Sequence, residues 1–175
     1  MGNGVLLDTN CFSHVFNCND KRFGEFKAVL QWLCYGPGYL VYGGSKYLDE
    51  LKKAERYLKV FSLLHVYNKV HVYDSASIDS EQERITRLVD DERFDDPHLP
   101  AIVIVSKCQV ICTGDDRCIP FLKRKDIYDG RVACPKFYTG ENCSHLLKPK
   151  YVGTNLRLNK NKANELIKGI DVVIK

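Results

Sequence analysis

The sequence predicts an α/β domain, a three-layer sandwich with a central, mainly parallel sheet. Short apolar runs that end in polar residues, at 4–8 and 110–113, are typical of strands buried on both faces. Between such runs lie segments whose apolar residues recur every three or four positions, the period of an amphipathic helix. Strands and helices that alternate along one chain form parallel sheets covered by helices on both faces.

The first elements are a strand and two helices. The run 4–8 is apolar up to its terminal acid, which predicts a buried strand with a polar tip. Residues 11–18 are expected to form a short helix. Asn19 or Asp20 can cap a second helix, since apolar residues recur at helical spacing from Phe23 onward.

A turn and a long helix come next. The turn 35–38, Tyr-Gly-Pro-Gly, leads into a strand predicted at 39–42. Ser45 is a suitable cap for one long helix, whose apolar stripe runs over 48–61 at helical spacing. A further strand is predicted at 70–73.

The second half continues the alternation. Ser80-Glu-Gln-Glu83 has the pattern of a capping box and predicts the start of a helix. Asp96-Pro97 predicts another helix start, with Asp96 as the cap, and this helix should continue to Lys107. The last predicted elements are strands at 110–113 and 132–139 and a short helix at 161–168.

Charge is distributed unevenly along the 175 residues. Residues 1–122 hold 14 Lys and Arg against 17 Asp and Glu, whereas residues 123–175 hold 12 against 5. The basic end indicates contact with a polyanion. We therefore expect a domain over 1–147, followed by a basic extension over 148–175 that packs on it or next to it.

Composition excludes several classes of protein. With 45% hydrophobic residues, 27% charged residues, six prolines and twelve glycines, the chain is neither disordered nor collagen-like. It shows no leader pattern and no apolar run near the roughly 20 residues of a membrane span. We expect a soluble, cytoplasmic protein without a membrane partner.

The eight cysteines contain no Cys-x-x-Cys pair. Cys108, Cys112 and Cys118 could form a zinc site in principle, but zinc sites usually contain such short pairs. We expect reduced thiols that pack as small apolar residues, since the chain shows no secretion signal.

Four acidic residues are expected to meet at one edge of the sheet. Asp8 and Asp115 follow predicted strands, and the carboxyl ends of parallel strands form the functional crevice of such sheets. Asp96 begins a helix at the same edge, and Glu50 lies about one turn into another. Clustered carboxylates repel each other, and a hard divalent cation with oxygen ligands relieves that repulsion.

These acids stand in four short motifs whose order is informative. The motifs are Leu6-Leu-Asp-Thr-Asn10, Glu50-Leu51, Asp96-Pro-His-Leu99 and Ile111-Cys-Thr-Gly-Asp115. Together they resemble a PIN-domain ribonuclease, with the VapC-like toxins of bacterial and archaeal toxin–antitoxin pairs as the nearest subgroup. The resemblance covers about residues 4–140.

The resemblance implies a metal-dependent endoribonuclease that hydrolyses RNA phosphodiester bonds with Mg²⁺ or Mn²⁺. Its residues, carried over by position, fall into three overlapping groups. The catalytic acids are Asp8, Glu50, Asp96 and Asp115; the metal ligands are Asp8, Asp96, Asp115 and Asp116; the substrate-binding residues are Thr9, Asn10, Thr113 and Arg117.

One position departs from the family pattern. Family members often carry a further acid two residues past the last strand-end aspartate, and here that residue is Arg117. Either Asp116 substitutes for it or the site has one ligand fewer, so both a one-metal and a two-metal site stay open. Arg117 could hold a phosphate oxygen or pair with a neighbouring acid.

The resemblance also implies partners. RNA is the implied substrate, an antitoxin protein could guard the site, and members of the family often form homodimers. The lysines and arginines after residue 122 could bind the RNA backbone.

Alternative functions stay open. A haloacid-dehalogenase-like phosphatase also places an aspartate after its first strand, but it needs Asp-x-Asp, and residue 10 is Asn. A catalytically weak PIN-like module could bind RNA or protein in a larger RNA-processing or defence assembly. A plain α/β scaffold, with the acids as caps and turns, is the third. His98 is expected to pack or to form a local hydrogen bond.

Overall fold

In a computed structural model of the chain, residues 4–152 and 157–175 are described. Parts of the two predicted domain ranges, at 1–3 and 153–156, lie outside the described residues. The described residues form a five-stranded sheet whose neighbouring strands all run parallel. The strands are β1 (Val5–Leu7), β2 (Leu40–Gly43), β3 (Val70–Tyr73), β4 (Val110–Cys112) and β5 (Lys136–Tyr138).

Helices flank this sheet in a three-layer sandwich, which confirms the predicted fold class. The described helices are α1 (Phe12–Phe16), α2 (Phe23–Cys34), α3 (Ser45–Lys53), α4 (Glu55–Val66), α5 (Ser75–Val89), α6 (His98–Ser106), α7 (Ile119–Leu122), α8 (Lys125–Tyr128) and α9 (Lys160–Ile174). Two 3-10 segments, Thr9–Cys11 and Glu141–Leu147, complete the elements.

The order of the strands in the sheet is β3-β2-β1-β4-β5. The chain moves from β1 outward to β2 and β3, then returns past β1 to form β4 and β5. Because crossovers between parallel strands are right-handed, this reversal sends the helices before and after β3 to opposite faces of the sheet. The loops after β1 and β4 therefore diverge and leave a crevice between their carboxyl ends, the usual ligand position in open α/β sheets.

The C-terminal helix shares the core of the domain. Helix α9 packs on α4, α2 and α1. Its residues Leu166 and Ile170 are fully buried in the same apolar cluster as the strands. The helix is longer than predicted, since it covers 160–174 rather than 161–168. The buried residue Ile174 extends the apolar stripe by one more turn.

The predicted single helix over 45–61 is wrong. The chain breaks at Ala54, which has the non-helical angles φ −91° and ψ 59° and separates α3 from α4. The break rotates the apolar stripe. Phe61 and Leu64 of α4 are buried, whereas Leu58, which the unbroken stripe would bury, is 36% exposed.

Two predicted caps are also wrong. Helix α5 begins at Ser75 rather than Ser80, because Asp74 accepts a hydrogen bond of 2.8 Å from the backbone N–H of Ser77. Asp96 does not cap α6 through its side chain, and Pro97 occupies the cap position. The carboxylate of Asp96 is thereby left available for other contacts.

All eight cysteines are free thiols, and five of them are buried. Burial raises the pKa of Cys34 and Cys118 to about 12, so these thiols stay protonated. In the described part of the chain no cysteine belongs to a group of three potential metal ligands. No described helix is both long enough and apolar enough to cross a membrane.

Helix α3 is held against the end of β1 by two features. Gly44 adopts φ +84°, and a Cβ there would lie 2.5 Å from Ile78 Cγ2, so only glycine permits this turn from β2 into α3. One turn later the buried Tyr47 hydroxyl donates a hydrogen bond of 2.6 Å to the carbonyl of Leu7. These constraints determine where the next turn of α3 places Glu50.

We expect Tyr47→Phe to lower the free energy of unfolding by about 1 kcal/mol, since a buried carbonyl loses its donor. Urea titration followed by circular dichroism measures this change. The matched control is Tyr42→Phe, because the Tyr42 hydroxyl makes no hydrogen bond to a described residue and its loss should change stability little. Equal changes in the two variants would contradict the role given to Tyr47.

Candidate metal centre

The carboxylate of Asp8 lies at the carboxyl end of β1 and is only 3% exposed. Asn10 Nδ2 and Thr113 Oγ1 each donate a hydrogen bond of 2.8 Å to Asp8 Oδ2. The backbone N–H of Asn10 approaches Asp8 Oδ1 at 3.4 Å. Because these donors come from the loops after β1 and β4, they join the two strands at the crevice.

Glu50 reaches the same crevice from α3. Thr9 Oγ1 donates a hydrogen bond of 2.9 Å to Glu50 Oε2. The Glu50 side chain is 27% exposed, so it combines a fixed orientation with access to solvent.

Asp96 approaches from the loop before α6. Its backbone carbonyl accepts a hydrogen bond of 3.1 Å from the N–H of Leu99, which starts the helix. Its carboxylate is 22% exposed and makes no hydrogen bond to a described residue. The Lys46 ammonium lies nearby, where it donates a hydrogen bond to the carbonyl of Asp95.

His98 is buried behind these two carboxylates with 1% exposure. Its Nε2 lies 3.8 Å from Glu50 Oε2, and its Nδ1 lies 4.0 Å from Asp96 Oδ1. Neither ring nitrogen has a hydrogen-bond partner. A buried polar side chain without a partner is unfavourable, so either nitrogen of His98 is available to bond to a further group.

Glu50, Asp96 and His98 together could hold a metal ion. One ligand atom from each residue lies within 4.8 Å of the other two. Among residues 4–152 and 157–175, no other group of His, Cys, Asp or Glu meets that condition. The set combines two carboxylate oxygens with one imidazole nitrogen.

The electrostatics of the crevice favour a cation. Burial, together with the charges of Asp8, Asp95 and Glu50, raises the pKa of Asp96 to about 7, although Lys46 opposes the shift. Burial also raises the pKa of Asp8, against the hydrogen bonds from Thr113 and Asn10. Burial is the larger cause of both shifts and repulsion between the acids adds to it, and a bound cation would favour the ionised form of both carboxyls.

Burial lowers the pKa of His98 to about 3, with a smaller contribution from Lys46. The imidazole is therefore neutral at physiological pH, the form that binds metals. A neutral ring also cannot compensate the carboxylates by its own charge.

Asp115 is engaged elsewhere. Two nitrogens of the Arg117 guanidinium donate hydrogen bonds to its carboxylate. Nη2 lies 2.6 Å from Oδ2, and Nε lies 2.9 Å from Oδ1. The guanidinium lowers the pKa of Asp115, and the arginine side chain is itself 91% exposed. Of the two roles open to Arg117, pairing with a neighbouring acid is therefore the one that the described structure contains.

The predicted substrate-binding residues Thr9 and Thr113 are bonded to acids of the site. Thr113 Oγ1 donates a hydrogen bond to Asp8, and it accepts one of 3.1 Å from the backbone N–H of Asp115 and one of 3.4 Å from Asn10 Nδ2. Thr9 Oγ1 donates a hydrogen bond to Glu50. Asp116 is exposed on the loop after β4 and does not join the cluster of metal-ligand candidates.

The sequence reasoning missed His98 as a candidate ligand. Its position two residues after Asp96, on an otherwise apolar helix, was the available signal, because α6 is buried along almost its whole length. A histidine in such a helix must find a partner or carry a cost. Which partner it meets depends on the approach of α3, which the sequence does not reveal.

No family model, curated protein or solved structure matches this chain. The resemblance to PIN-domain ribonucleases therefore rests on the four motifs, and it stays a prediction.

With a metal chelator present, Asp96→Asn should change how the melting temperature of the protein depends on pH. The folded Asp96 carboxyl has a pKa of about 7 against 3.8 unperturbed, so the folded state binds the additional proton between these values. The higher proton affinity of folded Asp96 therefore stabilises the fold fully below pH 3.8, and this stabilisation is lost as pH rises through about 7. The melting temperature of Asp96→Asn minus that of the wild type should therefore increase between pH 4 and pH 8.

The control for this measurement is Asp49→Asn, because Asp49 is an exposed carboxylate whose charge is not among those that raise the pKa of Asp96. Its difference from the wild type should vary less with pH. A flat difference for Asp96→Asn would mean that Asp96 titrates as an ordinary surface acid.

Proposed function

We propose that this protein is a metal-dependent endoribonuclease that hydrolyses RNA phosphodiester bonds. The observation that carries the proposal is the Glu50, Asp96 and His98 cluster, with Asp8 beside it, at the switch point of a parallel sheet. The order of the four acidic motifs supports the same activity. A toxin role, an antitoxin partner and a homodimer follow from the resemblance alone.

Some residues of the site would hold the cation, and others would orient those ligands. Glu50, Asp96 and His98 would hold the cation, and Thr9 would keep Glu50 turned toward it. Asp8 adds negative charge beside them and is itself fixed by Asn10. A divalent cation in such a site supplies Lewis-acid stabilisation of the phosphate and activates water.

The donor set favours Mn²⁺ over Mg²⁺. Mg²⁺ prefers an octahedral shell of oxygen ligands, whereas imidazole suits transition metals. An unpartnered imidazole nitrogen of His98 as a ligand would therefore favour Mn²⁺ over Mg²⁺. A shell of carboxylates alone would lack this discrimination.

The second candidate is a catalytically weak module that binds RNA or protein in a larger assembly. The contact that favours it is the fork of Arg117 on Asp115, which occupies an acid that the resemblance places among the metal ligands. In this case the cluster would bind a cation without cleaving RNA.

Cleavage distinguishes the two candidates. With Mn²⁺ and single-stranded or structured RNA, we expect Asp8→Asn and Asp96→Asn to lower kcat/KM by about tenfold or more, since both carboxylates help to retain the cation. Asp49→Asn is the matched control, because Asp49 is an exposed carboxylate on α3 next to Glu50. Equal cleavage by the wild type and all three variants would indicate a contaminating nuclease.

His98→Leu should weaken Mn²⁺ binding by about tenfold or more, as other changes around metal sites do. It should weaken Mg²⁺ binding less, since the lost ligand is nitrogen. Calorimetric titration of the full chain with each ion measures both affinities. His71→Leu, on β3 and outside the cluster, serves as the control, and an equal loss in both variants would argue against His98 as a ligand.

A further inference from the structure

A second surface feature lies along β5, the edge strand of the sheet. It is a groove of about 500 Å³, and the residues that carry the argument are Lys123, Lys136, Phe137, Thr139 and Asp116. We call it the lysine groove. Its lining comes from β5 and the residues on either side of it, from α7 and the residues next to that helix, and from the 3-10 segment Glu141–Leu147.

The groove opens at the same sheet edge as the candidate metal centre. Asp116 and Thr139 follow β4 and β5, which are neighbours in the sheet. Arg22 links the two loops, since its guanidinium donates to the carbonyls of Gly114 and Thr139 at 3.3 Å. A chain lying in the groove would therefore be directed toward the crevice.

Its positive charge is not compensated by ion pairs. Lys123, Lys125, Lys136 and Lys150 are exposed and form no ion pair with a carboxylate in the described part of the chain. Several arginines, by contrast, are paired with acids. They include Arg22, Arg84, Arg87, Arg93, Arg117, Arg124 and Arg131.

Three of the lysines act on Cys134, which lines the groove. Burial raises the pKa of the Cys134 thiol, and the charges of Lys123, Lys125 and Lys136 all oppose that shift. The three positive charges therefore belong to one region of the surface, which includes the groove.

Aromatic rings lie beneath these ammonium groups. Lys123 Nζ is 5.8 Å from the ring centre of Phe137. Tyr151 and Lys150 flank the groove, because Lys136 Nζ and Lys150 Nζ are 5.2 and 5.4 Å from the ring centre of Tyr151. Alternating cations and rings are the features with which proteins bind single-stranded nucleic acid. Phosphates would draw the ammonium groups away, and unpaired bases would take their places over the rings.

We propose that the lysine groove binds single-stranded RNA and leads it into the metal centre. The identity of the polymer rests on the proposed function, whereas binding itself does not depend on cleavage. A duplex fits less well, because its bases are already stacked and cannot reach Phe137 or Tyr151.

The test is binding of the full chain to a labelled 12-nucleotide single-stranded RNA in EDTA, followed by fluorescence anisotropy at several salt concentrations. The variant Lys123→Ala/Lys136→Ala/Lys150→Ala should bind at least tenfold more weakly. It should also lower the slope of log K against log salt by about 2, since each lost phosphate contact contributes about 0.7. A blunt RNA duplex should bind the wild type more weakly than the single strand.

The matched control is Lys52→Ala/Lys53→Ala/Lys59→Ala, which removes three exposed lysines from α3 and α4. This control should leave the affinity within about twofold and the salt slope nearly unchanged. Equal losses of affinity in the two triple variants would overturn the groove as an RNA site. Displacement of the labelled RNA by polyglutamate as readily as by unlabelled RNA would do the same.

A different pair of results separates this inference from the proposed function. RNA binding that is lost in the groove variant, from a protein that never cleaves RNA, would support the groove and refute the nuclease. RNA cleavage with an unchanged KM in the groove variant would support the nuclease and refute the groove.

Discussion

The buried carboxylate of Asp8 is bonded to groups from two loops that the sheet topology separates. Asn10 donates to it from its own loop, and Thr113 donates from the loop after β4. Asn10 then reaches across, because its Oδ1 accepts the N–H of Gly114 at 3.0 Å. This network lies between β1 and β4, where the strand order reverses. It forms the floor of the crevice that Glu50 and Asp96 also reach. Truncation of Asp8 to Ala would remove the acceptor that Asn10 Nδ2 and Thr113 Oγ1 share.

From this base, the remaining acids depend on helix placement. Glu50 is correctly oriented only because Gly44 and Tyr47 set the start of α3 against β1. Asp96 and His98 depend on the entry of α6 into the core. The result is a cluster of two carboxylates and an unpartnered imidazole, whose burial is unfavourable and which a bound cation would stabilise.

The small net charge of +4 conceals two surfaces with opposite roles. Part of the negative charge of the first 122 residues converges in the crevice. Part of the positive charge after residue 122 lies beside β5, where the lysines lack ion pairs, although others of that group, such as Arg124 and Arg131, are paired with acids. The arginines near the crevice are likewise engaged, and Arg117 is held by Asp115. The net charge of a segment therefore does not show which of its cations are available, whereas the ion pairs of the described residues do.

The alternation of strands and helices and the strand ends at Asp8 and Asp115 were legible in the sequence, because the hydrophobic period of each element is local. The sequence also suggested that Asp8, Glu50, Asp96 and Asp115 meet, since strand ends share an edge of the sheet. Tertiary structure decided the rest. It broke the helix at Ala54, where packing on β3 and α9 outweighed local propensity. It turned Asp115 toward Arg117, and it placed the His98 nitrogens beside two carboxylates, because the distance between α3 and α6 is set by the core between them and by no local pattern.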